Sequence, residues 1–478
     1  MSTVIHMAYL PFEFPDGNDF SRDKNKDEHN SEFNENNSGS TPNPNPYNFN
    51  ISGSHFDMGT LGQVFTKLGE MFSGIDSSTT HSNKQTGSVK HGFVNYDLAK
   101  QLAYSCVTSS SPTSEKINET VINSVRTAET WLDCVTALPT GIIRSFAWTP
   151  KDWLDNTFAT WQRLCDPVVQ QIASVWTSII PDNSSNHLDK TFIVTLISQM
   201  GSMAFGSQLG QSLGKLSNEV LSSTDIGLLL GPSSIASLMP TAIESLSKDL
   251  EQPKSEMFTF LAAREAAHHR IFNYASWLPG QLIRTIETFA KGIRIDSSNI
   301  ENFINGFNPI LLNESSEMEQ LLKRGIFRTE VTSEQKLTLE RLETLLALIE
   351  GWVQNIVTAA LKDRIPGTYA LSEMLHRRRA TGGPAEQTFS TLVGLELRPR
   401  KIHEATLLWK RLTDEVGINS RDKIWQHPDM LPRFNDLDEP ADFIKNTINR
   451  DKYSIKNSFE ETITNLEKEN NDEDPKIN

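Results

Sequence analysis

Five consecutive residues, Arg264-Glu265-Ala266-Ala267-His268, set a glutamate and a histidine three apart in a segment that reads as a helix. Residues four apart lie on one side of an α-helix. Two histidines at that spacing can reach one metal ion, and a glutamate beside the first can activate a bound water. In this chain the first position holds Arg264. A guanidinium has no lone pair to give and stays protonated, so Arg264 is not a metal ligand. Glu-x-x-His by itself also occurs on many solvated helices, and an exposed pair with no chemistry is the plain alternative. His269 points about 100° around the helix from His268, so it replaces His268 only if the helix rotates.

A second segment adds a carboxylate. Glu350 is the one charge in the apolar run Leu345-Leu346-Ala347-Leu348-Ile349-Glu350-Gly351-Trp352-Val353. A charge in that setting is partly buried and needs a partner, and an ordinary ion pair between helices satisfies this as well as a metal does. A basic cluster, His376-Arg377-Arg378-Arg379, runs into Gly382-Gly383-Pro384. It is suited either to gripping a phosphate or carboxylate or to ending a helix at its negative pole. Glu386-Gln387-Thr388 lacks the Lys-Ser/Thr pair of a phosphate loop, which argues against nucleotide hydrolysis.

The elements that would carry these residues are helical. Ser255, just after Pro253, is a candidate N-cap for the helix of Met257 to Phe272, whose face carries Met257, Leu261, Arg264, His268 and Ile271. Thr332 and Gln335 form a capping-box pattern ahead of a long helix from Glu334 to Leu361. Gly206, Gly210 and Gly214 recur every four positions, and the polar Gln208, Gln211 and Lys215 between them predict a tight crossing in a water-soluble body. Alternating β-branched runs are few and short, so the expected class is mostly α.

The expected organisation is a disordered polar tail over 1–55, a short amphipathic helix over 56–75, a linker over 76–93, a helical body over 94–440 and a polar tail over 441–478. The two ends carry −8 of the formal net charge of −15, which leaves the body without a basic field for nucleic acid or anionic lipid. The longest apolar stretches fall short of the ~18 uninterrupted residues of a membrane span, and no secretory leader pattern opens the chain. Three widely spaced cysteines in no CxxC arrangement argue against a disulfide framework and fit a reducing cytoplasm.

Several motifs agree in order with one family: Thr224-Asp225-Ile226-Gly227, the Arg264 to His268 pentapeptide, Leu342 to Trp352, Arg377-Arg378-Arg379, Gly382 to Phe389 and Leu392 to Arg400. Over roughly residues 56 to 440 the chain resembles the zincin-like family of bacterial zinc-dependent metallohydrolases, in a branch with arginine in place of the first histidine. The resemblance implies a helical zincin-like single body, Glu265 as general base and His268 and Glu350 as metal ligands for zinc. It also implies hydrolysis of a peptide or amide bond. The arginine opens the alternative of a catalytically inactive zincin-like protein that binds a peptide or protein partner. In either case Arg264 is expected to form an ion pair with Glu350 or Glu265, its guanidinium taking the place of the metal's charge.

Overall fold

The first helix of the body, α1 (Tyr96–Cys106), starts where Asn95 accepts a hydrogen bond from the Leu98 amide, and α2 (Glu115–Leu132) is capped in the same way by Ser114. In the computed structural model, residues 94–107, 113–179, 187–250, 252–292, 332–380, 384–393, 395 and 400–450 are described. They belong to one compact unit. The expected polar tail over 1–55, the helix over 56–75, the linker over 76–93 and residues 451–478 of the expected C-terminal tail lie outside the described residues.

Helices dominate, as the periodicity requires. After α2 come β1 (Arg144–Ala147), α3 (Pro150–Ile179), α4 (His187–Ser217), β2 (Ile235–Leu238), α5 (Pro240–Leu250), α6 (Lys254–Tyr274) and α7 (Trp277–Lys291). The second half continues with α8 (Ser333–Leu361), α9 (Thr368–Ala380), α10 (Pro384–Val393), α11 (Ile402–Lys423) and the short α12 (Phe434–Asp438). The only sheet among the described residues is the parallel pair of β1 and β2, with Arg144 opposite Ile235 and Ala147 opposite Leu238. Ordered structure runs past the boundary drawn at 440. Residues 440–450 are helical and bury Ile444, because its apolar neighbours Phe443 and Ile448 pack on the core despite the polar composition around them.

The glycine spacing does what it predicts. A Cβ on Gly206 would lie 2.5 Å from the Asn95 carbonyl oxygen, and one on Gly210 would lie 2.4 Å from that of Ala99. Helix α4 therefore lies directly against α1 along this edge.

Helix α8 forms the axis of the body and touches α2, α6, α7 and α11. Its capping box is present: Thr332 Oγ1 accepts from the Gln335 amide, and Gln335 Oε1 accepts from the Thr332 amide. Among the described helices it is the one long and apolar enough to cross a membrane, and most of that stretch is buried inside the protein.

Helix α6 departs from the expected start. It begins at Lys254 behind Pro253 with no side-chain cap, so Ser255 is not its N-cap and lies inside the first turn. It is also buried on every side from Ala262 to Phe272 except at Arg264, and a helix enclosed in this way presents chemistry on more than one face. That burial removes the plain alternative of a solvated Glu-x-x-His pair. The three cysteines are unpaired.

Candidate functional site

Arg264, His268 and Glu350 meet where α6 crosses α8, and α9 adds Arg379. Positions 264 and 268 are one helical turn apart and therefore face α8 together. Arg264 Nη2 donates to Glu350 Oε2 at 2.6 Å, and His268 Nε2 donates to Glu350 Oε1 at 3.0 Å. Arg379 grips the same carboxylate with both ends of its fork, Nη1 at 2.5 Å from Oε2 and Nη2 at 3.0 Å from Oε1. The expected ion pair of Arg264 with Glu350 is present.

Glu350 is 3% exposed and cannot rely on water. Burial pushes its carboxyl up, but Arg379, Arg264 and His268 together hold it well below the usual carboxylate range. Burial pulls the Arg264 guanidinium down from its ordinary value, and Glu350 opposes that pull. The glycine of Thr224-Asp225-Ile226-Gly227 allows the close approach here. Gly227 has a φ of +80°, and a Cβ on it would sit 3.1 Å from Glu350 Oε1. Its neighbour Asp225 accepts from Arg379 through its carbonyl and faces Arg378 at 3.6 Å through its carboxylate. The arginine cluster at the end of α9 thus does more than close a helix.

Glu265 lies on another face of α6 and goes elsewhere. It is fully buried, and its Oε1 accepts from Ser223 Oγ, from the Ser237 amide at 3.0 Å and from His269 Nε2 at 3.3 Å. Its Oε2 accepts from the Thr224 amide at 3.1 Å and from Thr224 Oγ1 at 2.5 Å. Burial raises its pKa, but the bond from His269 and those from Ser223 and Thr224 outweigh this and lower it to about 2. The structure therefore brings Arg264, His268 and Glu350 together and holds Glu265 in a separate network. That network ties α6 to β2 and to the loop before it. His269 belongs to this network, in keeping with its angle around the helix.

The fit to zinc can be judged from the donor atoms. A carboxylate has about four lone-pair sites, and Glu350 accepts hydrogen bonds from Arg264, His268 and Arg379 while Arg379 Nη1 makes a further close ion pair with Oε2. His268 Nδ1 donates to the Arg264 carbonyl at 2.9 Å, so Nε2 is the ring atom that would face a metal, and it is engaged with Glu350. No group of three or more His, Cys, Asp or Glu side chains among the described residues is arranged to hold a metal ion. The residues present do not fit zinc.

Above the cluster opens a cavity of about 370 Å³ whose lining includes Arg264, Glu350, His376, Arg378, Arg379 and Arg400. His376 Nε2 donates to Gln354 Oε1 at 2.7 Å, and burial followed by the nearby Arg379 and Arg264 lowers its pKa. Arg379, Ser223, Thr224 and Ser237 were not singled out as site residues from the sequence. The motif spacing hinted at Arg379 and Thr224, while nothing local marked the serines.

One solved structure with a similar fold comes from Chloroflexus aurantiacus and is described as a candidate hydrolase with a novel fold. The two align with a TM-score of 0.50 at 18% identity over 74% of this chain and 98% of that one. No curated protein matches the sequence. The sequence pattern described as zincin-like metallopeptidase matches residues 94–444, which is most of the chain and nearly all of the described body. The chain belongs to the zincin-like metallopeptidase family.

Proposed function

We propose that this chain is a metal-free member of its family that uses the cavity to bind a peptide or protein partner without hydrolysing it. The observation that carries this reading is the engagement of both Glu350 oxygens by Arg264, Arg379 and His268, which an ion would have to displace. In zinc peptidases the metal supplies a Lewis acid and a source of hydroxide. Arg264 and Arg379 offer fixed positive charge and N–H donors instead, which orient an electron-rich group without activating water. Glu265, saturated by its own donors and turned from the cavity, holds the scaffold. The unpaired cysteines agree with a cytoplasmic setting.

A zinc-dependent hydrolase of peptidase or amidase type is the second reading. It is favoured by the family membership and by His268 and Glu350 lying side by side. Thermal melting separates the two, because a metal held by the native state raises its melting temperature. Curves in excess zinc and in chelator are expected to superimpose, with no zinc-dependent cleavage of a casein substrate. A rise in melting temperature with zinc that chelator reverses contradicts the metal-free reading.

A further inference from the structure

Charge does not balance at the floor of the cavity. Arg264 and Arg379 bring two positive charges against the single negative charge of Glu350, His268 donates into the cluster from both ring nitrogens, and Arg378 is matched with Asp225. The donors of the two arginines are also used differently. Arg379 spends both terminal nitrogens on Glu350 and the Asp225 carbonyl. Arg264 bonds only through Nη2, so its Nε and Nη1 have no protein acceptor among the described residues while the side chain lines the cavity and is 11% exposed. Guanidinium donors in a largely enclosed space need acceptors, and a carboxylate matches them in charge and in planar geometry.

Leu216, Val220, Ile226, Leu346 and Leu375 form the apolar part of the walls, which also hold Gln354, Glu386 and His403. A volume of about 370 Å³ is at the small end of ligand pockets, large enough for a side chain with its terminal group and too small for a folded surface.

We propose that this cavity binds an apolar monocarboxylate, with the carboxylate on Arg264 and the hydrocarbon portion against those walls. The ligand is either the C-terminal residue of a peptide or a free organic acid. This rests on the metal-free reading, since Arg264 is available only where no ion displaces it.

The test is calorimetric titration of the full chain, in chelator, with N-acetyl-Ala-Leu, its C-terminal amide and hexanoate. The free-acid peptide or hexanoate is expected to bind, and the amide is expected to bind weaker by about tenfold or more, as loss of a charge-assisted contact implies. Tighter binding of the peptide acid than of hexanoate assigns the site to peptide C-termini, and the reverse order assigns it to free acids. Arg264→Gln should lose the preference for acid over amide. If that variant does not fold, the comparison on the unaltered chain decides alone. Equal binding of acid and amide, or no binding of either acid at millimolar concentration, overturns the proposal. Zinc content is read on the same preparation. Bound zinc overturns the metal-free reading, and lost acid preference in zinc-free protein overturns only this inference.

Discussion

Glu350→Ala is expected to lower the stability of the fold by about 3–5 kcal/mol, because it strands Arg264, Arg379 and His268 with unmatched donors in a buried site. The magnitude reflects the missing partner and not the worth of the pair, since burying charges costs nearly as much as their attraction returns. A double-mutant cycle separates the two. Arg264→Met combined with Glu350→Leu should cost less than the two single changes added together. Denaturant titration of the four proteins of the cycle and of Glu350→Ala gives the answer, and a loss below about 1 kcal/mol for Glu350→Ala would place that carboxylate among exposed surface pairs.

Glu265→Ala is expected to cost on the order of 3 kcal/mol or more, since it leaves buried donors from Ser223, Thr224, Ser237 and His269 without an acceptor. The effect carries a pH signature. The carboxyl of Glu265 is held at about 2, below its unfolded value near 4.3. Its contribution is therefore complete above the unfolded value and is lost as pH falls from there through about 2. Stability of the unaltered chain should drop across that window, and the alanine variant should show a flatter acid limb. Glu350 adds to the same limb, because its carboxyl is also held low. An unchanged slope, or a Glu265→Gln variant as stable as the parent that has lost a hydrolytic activity, would return Glu265 to the role of general base.

The parts of this arrangement that follow from local chemistry were legible in the sequence. Thr332 and Gln335 fix the start of α8 through contacts three residues apart, and the lone charge at Glu350 required a partner because everything around it is apolar. The spacing of Arg264 and His268 put both on one face, so their meeting with Glu350 needed only that α6 and α8 cross there. The donors to Glu265 were not legible. They come from Ser223, Thr224 and Ser237, which are 42, 41 and 28 residues away on a loop and a four-residue strand. No local pattern announces such contacts. Arg379 was visible only as one of a cluster with two readings, helix end or anion grip. Its partner Glu350 is 29 residues away and depends on how α9 folds back. The start of α6 was misread because a serine after a proline is a good cap in isolation, while the helix gains its first turn from burial of Met257 and Phe258 and needs no cap.

Under the metal-free reading, arginine charge stands where a family metal would. Elemental analysis tests this most directly, on protein purified without chelators, incubated with excess zinc and then freed of unbound ion. No stoichiometric zinc is expected, because Glu350 and His268 Nε2 are already engaged. About one zinc per chain, lost in the Glu350→Gln variant, would contradict it.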